Sequence, residues 1–180
     1  NGRAVLACWE PAVAEMTIEP LLHAGVIRDL VVEREPYETE LQRMHPWLER
    51  DAPYPGFPEP LSHEQMADAA GARDCIQCLC CVSACPVLDL GAKTRFAGPA
   101  LLVQLAQFAL DPRDGLDRGR IAHEEAAVFS CVSCYACEEA CPADISIVTG
   151  VIEPLKAQAY RNLAGEATMH AEAFMNVVKG

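Results

Sequence analysis

The spacing of apolar residues divides the chain into a short β-like part and a longer helical part. Residues 1–33 contain three apolar stretches of alternating or β-branched character, which predict strands: Arg3–Trp9, Met16–Leu21 and Val26–Val32. From Glu33 onward the apolar residues recur at helical spacing. Four of them share one face of a predicted helix: Tyr37, Leu41, Met44 and Leu48.

A loop rich in proline follows this helix and marks a predicted domain boundary. Its prolines are Pro53, Pro55, Pro58 and Pro60. Residues 62–65 have the form of a capping box, so a second helix is expected to begin at Ser62. Further helices are predicted at residues 98–110, Glu124–Phe129, Val148–Leu163 and Ala167–Val178, with a charged loop at Arg113–Arg120. The chain is therefore divided into residues 1–33, a helix and Pro-rich linker at 34–61, and an all-α domain at 62–180.

Two cysteine runs interrupt the helical part, and both have the spacing CxxCxxCxxxCP. This is the ligand spacing of bacterial-type iron–sulfur proteins, in which the fourth cysteine of each run binds the other cluster. Two [4Fe-4S] clusters are therefore expected. The ligands of the first are Cys75, Cys78, Cys81 and Cys141. The ligands of the second are Cys131, Cys134, Cys137 and Cys85.

Zinc and disulfides are the alternatives for the same cysteines. Paired CxxC units also bind structural zinc, and an even cysteine count in a short secreted chain indicates disulfides. A zinc ion would leave the third and fourth cysteines of each run unused, and disulfides require no such repeat. Cys80 stands outside the spacing and is predicted to be a small buried hydrophobic residue. Cys8, taken alone, predicts a buried cysteine in a small sheet.

Charge and hydropathy limit the possible partners. The 180-residue chain is 51% hydrophobic and can bury a core, and its formal net charge of −12 disfavours nucleic acid or an anionic membrane surface. The longest apolar stretch contains Gly, Pro and Gln, so no transmembrane segment is predicted. Thiolate ligands need a reducing compartment, which predicts a cytoplasmic protein. Without a phosphate loop or an acid–base pair, the chain is expected to carry electrons and to perform no substrate chemistry.

Several segments resemble, in order and spacing, the iron–sulfur subunits of succinate dehydrogenase and fumarate reductase. They are Asn1–Cys8, Thr17–Leu21, Val26–Val32, Cys75–Cys81, Phe96–Leu102 and Asp111–Asp114. In that family the N-terminal domain is a plant-type [2Fe-2S] ferredoxin fold, and the cysteine of its LAC motif is the last ligand. The resemblance implies an α+β fold, with a small β-rich remnant of that domain followed by an all-α bacterial-type two-cluster ferredoxin domain. It makes Cys8 the last ligand of a [2Fe-2S] cluster whose other ligands would lie upstream of Asn1.

Three departures from the family pattern change what the resemblance implies. The usual members lack a cysteine at the place of Cys134 and hold a [3Fe-4S] cluster there, so this thiol predicts a second full [4Fe-4S] cluster. A quinone-site tryptophan usually follows the first Cys-Pro pair, but Val87–Leu90 stand there instead. Val132 replaces a histidine that is often found in the second run. The resemblance therefore gives no support for quinone contact at this subunit.

The C-terminal part resembles the iron–sulfur subunit HdrC of heterodisulfide reductase, on residues from Cys131 through Ile145 to His170, Ala173 and Phe174. Together the resemblances imply an iron–sulfur electron-transfer subunit of a succinate dehydrogenase or fumarate reductase-type oxidoreductase complex. Such a subunit relays electrons between a flavoprotein with FAD and a membrane quinone or heterodisulfide-reductase-like partner. They also imply a peripheral position on the cytoplasmic face of the membrane, through a membrane anchor or other partner subunits.

Two other functions fit the cysteine runs. One is the iron–sulfur subunit of a heterodisulfide reductase, glycolate oxidase or glycerol-3-phosphate dehydrogenase complex; those subunits generally lack the N-terminal LAC domain. The other is a free ferredoxin-like carrier without a dedicated enzyme, which would purify alone. The LAC motif at Leu6–Cys8 favours the succinate dehydrogenase type over the first of these, and purification decides the second.

Overall fold

The computed structural model describes residues 2–163. The predicted helix Ala167–Val178, and with it His170, Ala173 and Phe174, lies outside the described residues. The strands are β1 (Val26–Arg28) and β2 (Val31–Val32). The α-helices are α1 (Glu35–Arg43), α2 (His63–Arg73), α3 (Cys80–Ser83), α4 (Pro99–Ala109), α5 (Arg118–Glu124), α6 (Ala136–Glu139) and α7 (Glu153–Asn162). Leu88–Lys93 and Val128–Ser130 are 3-10 turns, and Ile147–Ile152 is a π-helical segment that leads into α7.

The described residues are mostly helical with one small antiparallel sheet, so the expected combination of a helical part with a small β-rich part is confirmed. The prediction of strands at Arg3–Trp9 and Met16–Leu21 is wrong, because neither segment pairs with another. A strand is stable only when a neighbour satisfies its backbone groups, and within residues 2–163 only β1 and β2 provide one another with that partner. Many apolar side chains of this part remain exposed, including Trp9 and Ile18.

The helices around the Pro-rich linker follow their sequence signals. α1 ends at Arg43, earlier than the apolar spacing predicted, so that Met44 is fully buried just beyond it. The capping box before α2 is confirmed. The Ser62 hydroxyl accepts a hydrogen bond from the Gln65 backbone N–H, and the Gln65 side chain accepts one from the Ser62 N–H.

The region after α4 differs from its prediction. The predicted loop at Arg113–Arg120 is present only as far as Asp117, because α5 begins at Arg118 and ends at Glu124. The helix predicted over Glu124–Phe129 is not formed. The Asp117 carboxylate caps the helix by accepting a hydrogen bond from the Arg120 N–H. Three residues beyond the end of α5, Ala127 adopts a left-handed backbone, with φ of 48°, which changes the direction of the chain before the second cysteine run.

Helix α4 forms the centre of the core, as its apolar sequence predicted. All residues from Pro99 to Ala106 are buried, and α4 contacts α2, α5 and the π-helical segment. Helix α5 packs closely along α7 at Gly119, where a Cβ atom would lie 2.8 Å from the Gln158 carbonyl oxygen. The two cysteine runs are thereby attached to one packed helical unit.

A buried ion pair connects this unit to the segment after α1. Arg118 and Asp114 pair at 2.8 Å, and both side chains are almost completely buried. The same guanidinium donates hydrogen bonds to three carbonyl oxygens, those of Met44 at 3.0 Å, His45 at 2.6 Å and Trp47 at 2.7 Å. Because every N–H group of the Arg118 guanidinium has an acceptor, its positive charge is compensated in this buried site.

A second ionic network fixes the Pro-rich linker. Glu59 pairs with Arg50 at 2.7 Å and with Arg113 at 3.0 Å, and Arg113 pairs in turn with Asp111 at 2.7 Å. Asp111 also contacts Arg73 at the end of α2. Burial would raise the pKa of the Asp111 carboxyl, but the hydrogen bonds and charges of Arg113 and Arg73 lower that pKa to about 2.

Replacing Arg118 tests the buried ion pair. Arg118→Leu leaves the Asp114 carboxylate and three carbonyl oxygens without their donor, which should cost about 3–5 kcal/mol and lower the midpoint of thermal unfolding by about 10 °C. Arg120→Ala, on an exposed pair of the same helix, should leave the midpoint nearly unchanged. Equal midpoints for the Arg118→Leu protein and the wild type would refute this role.

Candidate metal centre

The eight cysteines of the two runs surround two separate cavities. The first is lined by the four thiols Cys75, Cys78, Cys81 and Cys141. The second is lined by the four thiols Cys85, Cys131, Cys134 and Cys137. Each cavity thus takes three thiols from one run and the fourth from the other run. The remaining walls are apolar, with Ala100 and Val103 at the first cavity and Phe96 and Ile152 at the second.

The backbone around the first three cysteines of each run has the same conformation twice. Gln77 and Leu79 have positive φ in the first run, and Ser133 and Tyr135 have positive φ at the same two offsets in the second. One four-residue helix follows in each case, α3 or α6. Successive left-handed turns direct backbone N–H groups toward a common centre, an arrangement that binds anions and iron–sulfur clusters.

Backbone N–H groups already approach several thiols. The Ser133 N–H lies 3.4 Å from the Sγ of Cys131. Burial raises the pKa values of the Cys75, Cys85 and Cys137 thiols, and the backbone groups of Gln77, Val87 and Glu138 oppose that rise. Donors of this kind stabilise a thiolate, which is the form that binds metal.

Burial raises the pKa of several of these thiols above the ordinary value. It raises the pKa of Cys137 to about 12, and it also raises the pKa values of Cys75, Cys81 and Cys85. The neighbouring cysteines add to the effect, because several negative sulfurs in one cavity repel each other. These four thiols would therefore be protonated at neutral pH, and their deprotonation has to accompany the binding of a positively charged group.

The lining of the cavities fits an iron–sulfur group. Soft thiolates in an apolar, partly enclosed space suit iron–sulfur clusters and do not suit hard cations such as Mg²⁺ or Ca²⁺. In the part of the chain that the structure describes, no three His, Cys, Asp or Glu side chains are gathered closely enough to hold a single metal ion. Nearby on α4, the side-chain Nε2 of Gln104 is buried and has no hydrogen-bond partner among the described residues.

The remaining two cysteines lie apart from these cavities. Cys80 is 1% exposed, lines neither cavity and is buried as expected. Burial raises its pKa to about 12. Cys8 is exposed in a turn, so the expectation of a buried cysteine in a small sheet is wrong. The stretch around it has no neighbouring strand to pair with among the described residues, and its role as a [2Fe-2S] ligand stays a prediction.

Two polar residues beside the cavities were not identified from the sequence. Gln104 interrupts the apolar face of α4 and is 5% exposed. Lys156, also 5% exposed, donates a hydrogen bond from Nζ to the Cys131 carbonyl oxygen at 2.8 Å and approaches the Ser133 hydroxyl at 3.4 Å. A polar residue within an apolar helical face was the available signal for both.

Comparison with known proteins points to the cysteine runs first. Residues 71–145, which include both cysteine runs, match the family described as the 4Fe-4S dicluster domain. The thiols of both cavities lie within this matched segment. None of the described helices is long and apolar enough to cross a membrane.

The similar proteins include succinate dehydrogenase iron–sulfur subunits and a fumarate reductase subunit, besides two archaeal proteins named only as iron–sulfur proteins. A subunit of the CoM/CoB fumarate reductase of Methanothermobacter marburgensis is 35% identical over 94% of this chain and 33% of its own length. The mitochondrial succinate dehydrogenase iron–sulfur subunit 1 of Oryza sativa subsp. japonica is 34% identical over 79% of this chain and 52% of its own length. A chain of the Mycobacterium smegmatis Sdh1 complex in the apo form has a TM-score of 0.73 and 25% identity, covering 83% of this chain and 63% of that chain.

The chain corresponds to only part of these relatives. It spans 36%, 32% and 33% of the length of the first three curated relatives that it matches. The similarity nevertheless includes nearly the whole of this chain, since one of those alignments covers 99% of it.

Removal of iron should loosen the cysteine loops. Helices α3 and α6 have four residues each, too few to be stable without anchors at their ends. We expect the iron-loaded protein to protect the backbone amides of both loops from hydrogen exchange, and the chelated protein to lose that protection while α4 keeps its own. Unchanged exchange in the loops after complete loss of iron would contradict this dependence.

Proposed function

We propose that this chain is the iron–sulfur electron-transfer subunit of a succinate dehydrogenase or fumarate reductase-type complex. The observation that carries the proposal is the pair of cavities with four thiols each, built from two runs that exchange their fourth cysteine. Iron–sulfur clusters bound there would accept and donate single electrons. The protein supplies the thiolates, the backbone N–H donors and the apolar walls that hold such clusters away from water.

The proposed ligand sets follow the two cavities. The first [4Fe-4S] cluster would have Cys75, Cys78, Cys81 and Cys141 as ligands. The second would have Cys131, Cys134, Cys137 and Cys85. Cys134 is the ligand that makes the second cluster a complete cubane, and it is exposed. The second site is therefore the more accessible of the two to a partner.

The partners are proposed from the relatives. A flavoprotein with FAD would interconvert succinate and fumarate, and this chain would relay single electrons between it and a membrane anchor or a heterodisulfide-reductase-like subunit. One relative is itself named as part of a CoM/CoB fumarate reductase, which agrees with the proposed similarity of the C-terminal part to the heterodisulfide reductase subunit HdrC. The chain would then be peripheral on the cytoplasmic face of the membrane, attached through its partners.

The N-terminal residues are proposed to complete a plant-type ferredoxin domain together with residues upstream. The exposed apolar side chains of residues 2–32, such as Trp9, Val13 and Ile27, support this, because a folded domain would normally bury them. Cys8 would be the last ligand of a [2Fe-2S] cluster in that domain. The chain would then contribute to a relay of three clusters.

Replacing Cys134 tests the nature of the second cluster. Cys134→Ser should convert it to a [3Fe-4S] cluster, because three thiols hold only three corners of the cubane firmly. The oxidised variant should show the [3Fe-4S] EPR signal, and the oxidised wild type should not. Cys80→Ser, which changes a buried cysteine outside both cavities, should leave both clusters complete. A strong [3Fe-4S] signal in the intact wild type would refute the assignment.

Purification from the native source tests the proposed complex. The chain should be isolated with a flavoprotein, and succinate should reduce its clusters anaerobically through that partner. A chain that is isolated alone would be a free carrier. Reduction by glycolate or glycerol 3-phosphate in place of succinate would favour the alternative complexes, and either result would reject the succinate dehydrogenase-type function.

A further inference from the structure

We infer that Lys156 is a positioning residue of the second cluster: it holds the turn between Cys131 and Ser133, and its positive charge raises the reduction potential of that cluster. The inference rests on the proposed ligand assignment and deepens it, because it gives a role to a side chain that binds no metal. Lys156 lies on α7 and does not line the second cavity. It would act through the residues that it contacts.

Lys156 occupies a place where a lysine is costly. The residue is only 5% exposed, and its neighbours on the buried face of α7, Leu155 and Ala159, are fully buried. A lysine is almost never buried in this way unless acceptors compensate its charge. Burial lowers the pKa of the Lys156 ammonium group, and the negative charges of Cys131 and Glu153 oppose that change. A charge at this place therefore requires acceptors close to it.

Two acceptors of Lys156 lie in the second cysteine run. The Nζ atom donates a hydrogen bond to the Cys131 carbonyl oxygen at 2.8 Å and approaches the Ser133 hydroxyl oxygen at 3.4 Å. The turn between these residues also contacts a proposed ligand, because the Ser133 backbone N–H lies 3.4 Å from the Cys131 sulfur. Ser133 has a left-handed backbone, with φ of 53°, which is unfavourable for a residue with a Cβ atom. Lys156 thus contacts both ends of a strained turn and helps to hold it.

The first cysteine run has a basic contact of a different kind. Arg34 donates a hydrogen bond to the Gln77 carbonyl oxygen at 3.1 Å, but its side chain is 43% exposed and pairs with Glu38 at 2.9 Å. Water and the adjacent carboxylate weaken the field of Arg34, whereas water screens the buried charge of Lys156 much less. Because the two runs share one cysteine spacing, Lys156 distinguishes the electrostatic environment of the second cluster from that of the first.

A buried positive charge has a predictable effect on a redox centre. When one electron is added to the second cluster, the cluster and its thiolates become more negative, and no bond forms or breaks. The ammonium group of Lys156 stabilises that reduced state more than the oxidised state. The reduction potential of the second cluster is therefore higher than it would be without this residue.

Three variants on α7 test the inference. Lys156→Met removes both the charge and the donor, whereas Lys156→Gln removes the charge and keeps an N–H donor. Arg161→Met removes a positive charge from an exposed position of the same helix. EPR-monitored redox titration of the full chain should show a lower potential for the second cluster in both Lys156 variants. The expected change is about tenfold in the reduction equilibrium, or about 59 mV for one electron. The first cluster, and both clusters in Arg161→Met, should keep their potentials.

Hydrogen exchange tests the contact with the turn separately. The backbone amide of Ser133 should exchange faster in Lys156→Met than in the wild type, because the turn loses its hydrogen bond from Nζ. Arg161→Met should leave that exchange unchanged. Equal exchange at Ser133 in Lys156→Met and the wild type would refute the role of Lys156 in holding the turn.

The possible potentials separate this inference from the proposed function. If the wild type binds both clusters and both Lys156 variants leave the second potential unchanged, the inference is wrong and the proposed function stands. A wild-type potential in Lys156→Gln alone would assign the effect to the hydrogen bond, which refutes the role of the charge. An equal decrease in Arg161→Met would assign it to net charge, which also refutes that role. Should Lys156→Met fail to bind the second cluster, the potential of Lys156→Gln decides. A wild type without iron–sulfur clusters would overturn the proposed function and this inference together.

Discussion

The meeting of thiols from two distant runs is the constraint on which the rest of the structure depends. The first cavity takes its fourth cysteine, Cys141, from the second run. The second cavity takes its fourth cysteine, Cys85, from the first run. Neither cavity can form unless both runs are fixed to the same rigid support. That support is α4, which provides walls for the first cavity and lies between the runs in sequence.

The ionic contacts at the edge of the domain also help to fix the cysteine runs to one rigid support. Arg118 donates hydrogen bonds to the carbonyl oxygens that follow α1. Asp111 pairs with Arg73 and so connects the end of α2 to the turn after α4. Buried pairs of this kind are weak evidence for stability as such, because desolvation offsets much of their attraction. They do favour one arrangement of the paired segments, since removing one partner leaves the other charge buried and uncompensated. The segment that delivers the first cysteine run is thereby held in a single position relative to α4.

The sequence predicted those parts in which the local signal and the fold agree. The capping box at Ser62 and the apolar run of α4 gave helices at nearly the observed residues. The cysteine spacing groups the thiols as the two cavities do, although ligation itself stays a prediction. The strands expected near Cys8 are not formed, because β propensity cannot supply a missing partner strand. Helix α5 was missed because its start depends on the cap at Asp117 and on the burial of Arg118, which looked like a charged loop residue.

The central claim is that the chain holds two complete cubane clusters, and Mössbauer spectroscopy of the anaerobically purified, iron-57-enriched protein tests it most directly. We expect about eight irons and eight sulfides in the domain that carries the two cysteine runs, with all of this iron in spectra typical of [4Fe-4S] clusters. Bound zinc in place of iron, or iron sufficient for only one cluster, would contradict the claim.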